Sequence, residues 1–198
     1  MGVSGALFDM VKLLDISKTI ISRFDAEKVY NETLSWATKY DSELLKLLEN
    51  KEYALKIIGI ERGNAKPRKD ISKCSDVKNS IIYMYDEKFL NNTIDYEFLK
   101  DEGKYEFAKI DNKEEINKIL KLYIEKYFNF NDDKQTWFDK IKDLAEEMGY
   151  AREVKEYKQN PENWKGHVGD ISTVLRVALT ARTNTPDMYE IMQVLGKN

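Results

Sequence analysis

The residues best suited to chemistry in this 198-residue chain gather near its end: Ser172, Thr173, Arg176 and Thr180, followed by Arg182, Thr185 and Pro186. At about 100° per residue, the first four share one polar arc of roughly 100°, while Ile171, Val174, Leu175, Ala178 and Leu179 recur at helical spacing. Arg176 is therefore expected to point away from the core. Asp170 reads as the cap of this helix, Thr185 as the N-cap of the next and Pro186 as its first residue. The expected product is an αα-hairpin with a cationic, hydroxyl-rich end, suited to hydrogen-bonded recognition. A second cluster carries Arg62, Lys66, Arg68, Lys69 and Lys73 against only Asp70. That local excess suits a phosphate backbone even though the net charge is −3, and a solvated surface loop is its plainer reading.

Bond-making chemistry is harder to assemble. The single histidine, His167, reads as a loop residue ordering the hairpin entrance. The single cysteine, Cys74, reads as a small apolar filler and leaves no internal disulfide, which suits a reducing compartment. No Ser/His/Asp or Cys/His arrangement is present, so no catalytic residue is assigned. The acid pairs Asp132–Asp133, Glu114–Glu115 and Glu146–Glu147 lack the alternation and glycine of a calcium loop, and no metal ligand is assigned. The GHVG tetrapeptide lacks the strands that an RNA-clamping GXXG loop needs. There is no glycine-rich phosphate loop. No apolar run approaches a membrane span and the first residues do not read as a signal peptide, so a cytoplasmic location and no membrane partner are expected.

The elements that must position these clusters are helical throughout. With 42% apolar and 34% charged residues and twelve tyrosines, the chain is an ordered globular protein. Helical periods recur and strand-like alternation is scarce, so the fold class is all-α. Leu13, Ile16 and Ile20 predict a first helix; Val29, Thr33, Trp36, Ala37 and Tyr40, capped by Asp25, predict a second. A third is expected from Ser42 towards Ile60, ending in the RGNAKPRK loop. Ser75 is expected to cap a helix using Val77, Ile81, Met84 and Tyr85. The period weakens from Phe89 to Lys109, where a domain boundary is placed. Beyond it, Asp111 and Glu114 form a capping-box signature before Ile116, Ile119, Leu120, Tyr123, Ile124 and Tyr127. Asp132 or Asp133 opens a helix lined by Trp137, Ile141, Leu144, Ala145 and Met148, with Gly149 past its end.

The segment from Gly166 to Gly196 closely resembles the C-terminal anticodon-binding domain of bacterial glutamyl-tRNA synthetases, in which an Arg within an "LRVALTG"-type helix precedes a short turn and a "TPxLxEIxxLLG" helix. GALFDMVKL, from Gly5 to Leu13, is similar to the stretch that follows the catalytic domain in this family. ERGNAKPRKDIS, from Glu61 to Ser72, resembles its first anticodon-binding subdomain. Ala181 departs from the pattern, standing where the family usually has Gly. The resemblance implies an all-α pair of helical anticodon-binding subdomains of the α-helix cage type: residues 1–24 as the tail of a stem-contacting region, 25–100 as the first subdomain and 101–198 as the second. It implies tRNA anticodon recognition, with base contacts by Arg68, Arg176, Thr185 and Pro186 and backbone contacts by Lys66, Lys69 and Arg182. The His-rich and Lys-Met-Ser-Lys-Ser signatures of class I synthetases are missing, so ATP and glutamate chemistry would belong to an absent catalytic domain of the same parent chain, and no cofactor is expected here. The expected partners are glutamate tRNA, with glutamine tRNA an open alternative, and that catalytic domain. The rival reading is a helical protein-interaction module of the same fold without RNA binding.

Overall fold

The computed structural model describes residues 9–85, 110 and 112–196. All regular elements among them are helical, and the chain divides into two compact units, 1–89 and 90–198. The boundary expected between residues 100 and 101 lies outside the described residues, as does Asp111.

The first unit contains α1 (Met10–Ile21), α2 (Ala26–Tyr40), α3 (Ser42–Leu47), α4 (Lys51–Gly59) and α5 (Cys74–Ile81). Helix α2 is its centre and packs against α3, α4 and α5. Its buried stripe of Val29, Tyr30, Thr33 and Ala37 meets a core that includes Leu44, Leu48, Ala54, Ile57, Val77, Ile81 and Met84. Asp25 caps α2 as expected, accepting from the Lys28 amide at 2.7 Å. Three tyrosines bring hydroxyls into this core and satisfy them on carbonyls: Tyr30 on Leu48 at 3.1 Å, Tyr53 on Met84 at 2.5 Å and Tyr85 on Leu47 at 2.5 Å.

Two helix boundaries differ from the sequence expectation. The third helix is broken into α3 and α4 because Asn50 turns its side chain onto the Tyr53 amide at 3.1 Å and starts a new helix. The apolar period runs on through the break, which is why it reads as one helix. Ser75 lies inside the first turn of α5, whose N-cap position is Lys73; Asp76 reaches back instead, accepting from the amides of Ser72 at 2.9 Å and Lys73 at 3.2 Å.

The second unit contains α6 (Lys113–Leu122), continued by a π-helical turn (Tyr123–Tyr127), then α7 (Lys134–Glu147), α8 (Val154–Gln159), α9 (Val168–Thr180) and α10 (Met188–Leu195). Asn112 caps α6, accepting from the Glu114 amide at 2.9 Å. Asp133 caps α7, and Gly149 follows that helix at φ +84°. Helix α9 packs on α6 and α7 around Ile119, Trp137, Ile141, Leu144, Ile171 and Val174. The entrance to α9 is fixed by a single parallel bridge: Ala151 donates to Gly166 at 3.0 Å and Val168 to Ala151 at 2.8 Å. Gly166 is required there, since a Cβ would stand 2.4 Å from the Asp170 carboxylate and 3.0 Å from the Tyr150 ring.

Candidate nucleic-acid interface

Helix α9 begins three residues earlier than its residue types suggest, with its cap at position 167 instead of 170. His167 is the N-cap, its Nδ1 accepting from the Gly169 amide at 3.0 Å, and Asp170 is the third helical residue, buried and accepting from the His167 amide at 2.9 Å. This reciprocal cap satisfies two of the amides that a helix start leaves open. His167 therefore orders the hairpin entrance, as its position suggested. The helix then runs thirteen residues to Thr180 and ends on Ala181, which lies in the left-handed region at φ +53° and ψ 28°.

The chain between the two terminal helices folds back onto Arg176. Its guanidinium donates to the Thr185 hydroxyl, to the Pro186 carbonyl at 3.0 Å and to the Thr185 carbonyl at 3.4 Å. The Thr185 hydroxyl in turn donates to the Pro186 carbonyl at 3.0 Å, and Thr180 donates to the carbonyls of Arg176 at 2.7 Å and Arg182 at 3.3 Å. The structure thus brings Arg176, Thr185 and Pro186 into one cluster. Arg176 is half-buried, so it is less a solvent-facing side chain than a staple on the turn. Thr185 is buried and not a helix cap; α10 starts after Asp187, whose carboxylate accepts from the Glu190 amide at 3.0 Å. Proline cannot donate an amide, and here Pro186 precedes the cap instead of opening the helix.

Sequence reasoning missed a neighbouring element. Lys134, the first residue of α7, pairs with Asp187 at 2.8 Å, and two side chains of α10 hold the loop before α7: Tyr189 donates to the Asp132 carbonyl at 2.9 Å and Gln193 to the Phe130 carbonyl at 3.3 Å. The start of α7 and the start of α10 therefore meet beside the Arg176 turn. A lysine in the first turn of a helix opposes the macrodipole, and that misplacement was the available signal that Lys134 answers a carboxylate elsewhere.

In the first unit, the basic loop sorts into different jobs. Arg62 is taken up by the fold, donating to the carbonyls of Ile58 at 2.8 Å, Ile21 at 3.1 Å and Phe24 at 3.2 Å, and its burial lowers its pKa. Arg68 is paired with Asp70 at 2.6 Å and lies 3.8 Å from Glu61. Lys66 and Lys69 are exposed. The loop therefore presents two exposed ammonium groups next to an arginine whose fork is oriented by carboxylates, an arrangement suited to a phosphate backbone and one planar acceptor.

Among the described residues, no group of three or more His, Cys, Asp and Glu side chains is arranged to hold a metal, and no helix is long and apolar enough to cross a membrane.

The anticodon binding domain family model matches residues 156–198, the segment that holds the Arg176 turn. Over its whole length the chain is 44% identical to glutamate–tRNA ligases of Acetivibrio thermocellus and Clostridium perfringens strain 13, covering 34% and 35% of those proteins. It is 41% identical to the glutamate–tRNA ligase of Sorangium cellulosum over 98% of this chain and 32% of that one. The chain thus spans about a third of the length of these relatives, and the matched third is their C-terminal part. No solved structure gives a significant match.

Proposed function

Because the chain belongs to the glutamate–tRNA ligase family, to whose C-terminal part it corresponds, we propose that it recognises the anticodon of glutamate tRNA. The observation that carries this reading is the Arg176–Thr185–Pro186 cluster inside the segment matched by the anticodon binding domain family. Anticodon bases are unstacked, so their edges are open to a planar arginine fork, hydroxyls and peptide groups, while lysines hold the backbone. Arg176, Thr185 and Pro186 read bases from the second unit and Arg68 from the first. Lys66, Lys69 and Arg182 neutralise phosphates. The same division leaves glutamine tRNA as a second substrate to be tested, with Arg68 the residue where discrimination would be decided. Amino-acid activation with ATP belongs to a catalytic part that precedes this one in the relatives' architecture; recognition by these residues needs no cofactor. A cytoplasmic site of action accords with this role.

A mobility-shift titration tests the reading. Saturable binding to glutamate tRNA that weakens with an anticodon-swapped control is expected. Absence of binding at moderate salt would overturn it in favour of a helical protein-interaction module.

A further inference from the structure

The turn between α9 and α10 is gripped from two sides. On one side, Arg176 of α9 donates to the Thr185 hydroxyl and the Pro186 carbonyl. On the other, Lys134 of α7 pairs with Asp187, the residue that follows Pro186, at 2.8 Å and lies 3.8 Å from Glu190. Asp187 is also the N-cap of α10: its Oδ1 accepts from the Glu190 amide at 3.0 Å while its Oδ2 meets the lysine. One carboxylate therefore fixes both where α10 begins and how it stands against α7.

Further contacts lock this register. Gln193 donates to the Phe130 carbonyl at 3.3 Å, Tyr189 donates to the Asp132 carbonyl at 2.9 Å, and the Tyr189 ring lies 5.6 Å from that of Trp137. Asp187, Glu190 and Gln193 are spaced three residues apart, which aligns them along one face of α10. The stretch that receives them is itself braced, with Lys140 paired to Asp132 at 2.6 Å and Asp133 accepting from the Thr136 amide at 2.9 Å. The position of the turn thus depends on α7 as well as on α9.

By type and by exposure, 56% for its side chain, Lys134 suits a phosphate contact. Its surroundings give it another task. Asp187 and Glu190 together outweigh its charge, so a phosphate would have to displace a carboxylate and approach its partner. We propose that Lys134 is a positioning residue for anticodon discrimination: acting through Asp187, it sets the place of Thr185 and Pro186 against the base they read, without itself touching the tRNA. This rests on the function proposed above. Recognition groups are selective when held within about 0.5 Å of their productive geometry. Releasing one grip on the turn should therefore blur the choice of base more than it weakens overall attachment.

Two variants of the full chain test this. Lys134→Met removes the charge, and Asp187→Asn removes the ion pair while leaving a residue that still caps the helix. Each is titrated against glutamate tRNA and an anticodon-swapped control at several salt concentrations, with the urea midpoint as the check on folding. Both are expected to lower the ratio of the two affinities by roughly threefold to tenfold. The salt dependence should stay unchanged, the double variant should be no worse than Lys134→Met alone, and Lys134→Arg should keep the ratio. An unchanged ratio in folded Lys134→Met protein would overturn the proposal. Equal weakening of both tRNAs with a flattened salt dependence would overturn it too, making Lys134 a phosphate contact. Should Lys134→Met fail to fold, Asp187→Asn decides by the same ratio. An unsubstituted chain that binds neither tRNA, or both alike, would instead sink the proposed function, and the positioning role with it.

Discussion

Arg176 ties the turn before α10 to α9, and in the proposed reading the same guanidinium also contacts a base. One terminal nitrogen, Nη1, donates to both the Thr185 hydroxyl and the Pro186 carbonyl and so fixes the path of the turn. Arg176→Ala and Arg68→Ala are each expected to weaken cognate tRNA binding by roughly 1 to 3 kcal/mol and to shrink discrimination between anticodons. Arg176→Lys should lose discrimination too, because a single ammonium keeps the charge without the fork. Lys69→Ala should weaken all tRNAs alike and flatten the salt dependence, since one fewer counterion is released. Titrations against cognate and anticodon-swapped tRNA at several salt concentrations decide; equal losses on both tRNAs would reduce the arginines to general electrostatic contacts. Tyr123 carries a different kind of prediction. Its hydroxyl accepts from the Trp137 indole at 3.0 Å and donates to Met192 Sδ at 3.7 Å, and burial pushes its pKa up to about 12. The phenol is held protonated in the folded state, so this stabilisation is complete below pH about 10 and is lost as pH rises towards about 12, an effect of about 2 to 3 kcal/mol. Urea titrations across that window should show stability falling, with a shallower fall in Tyr123→Phe. Tyr85 and Tyr150, also raised by burial, add to the slope in the same direction.

At the scale of elements, the terminal hairpin is built by caps at both ends of its turn. Ala181 closes α9 in the left-handed conformation, its amide donating to the Val177 carbonyl at 2.7 Å. A Cβ in that region costs about 1 to 2 kcal/mol, while a glycine there would carry about 0.4 to 1 kcal/mol of extra unfolded-state entropy. Ala181→Gly is therefore expected to stabilise the second unit by about 0.5 to 1 kcal/mol, read as a raised urea midpoint with unchanged slope. An unchanged or lowered midpoint would show that the turn does not hold Ala181 under strain. The helices themselves were legible: the Asp25 and Asp133 caps, the Gly149 terminator and the buried Trp137–Met148 stripe are all local features. The break at Asn50 was not, because a continuous apolar period masks a side chain that competes with the backbone. Nor were the true starts of α9 and α10, where His167 and Asp187 do the capping expected of Asp170 and Thr185.

At the scale of the whole molecule, residues 1–89 and 90–198 form separate compact units. Calorimetry of the full chain is expected to resolve two transitions, or one whose calorimetric enthalpy exceeds its van't Hoff enthalpy, and a single two-state transition would contradict this. The all-α class and the run of amphipathic helices follow from the sequence by itself, because helical period, capping residues and turn residues act over three or four positions, while the anticodon-binding pattern was legible only as the resemblance of Gly166–Gly196 to a known family. Only the tertiary structure decided what each basic residue is for. Arg62, Arg68, Lys66 and Lys69 stand within eight positions of one another, yet the first is consumed by carbonyls at Ile21 and Phe24, the second is paired with carboxylates, and the two lysines remain exposed. Residue type sets how much charge a side chain carries; which acceptors reach it depends on segments far away in the chain. The same holds for α1, whose Leu13, Ile16 and Ile20 have the spacing of a buried stripe but face water in this unit. Periodicity predicts that a face will be covered, and packing alone determines by what.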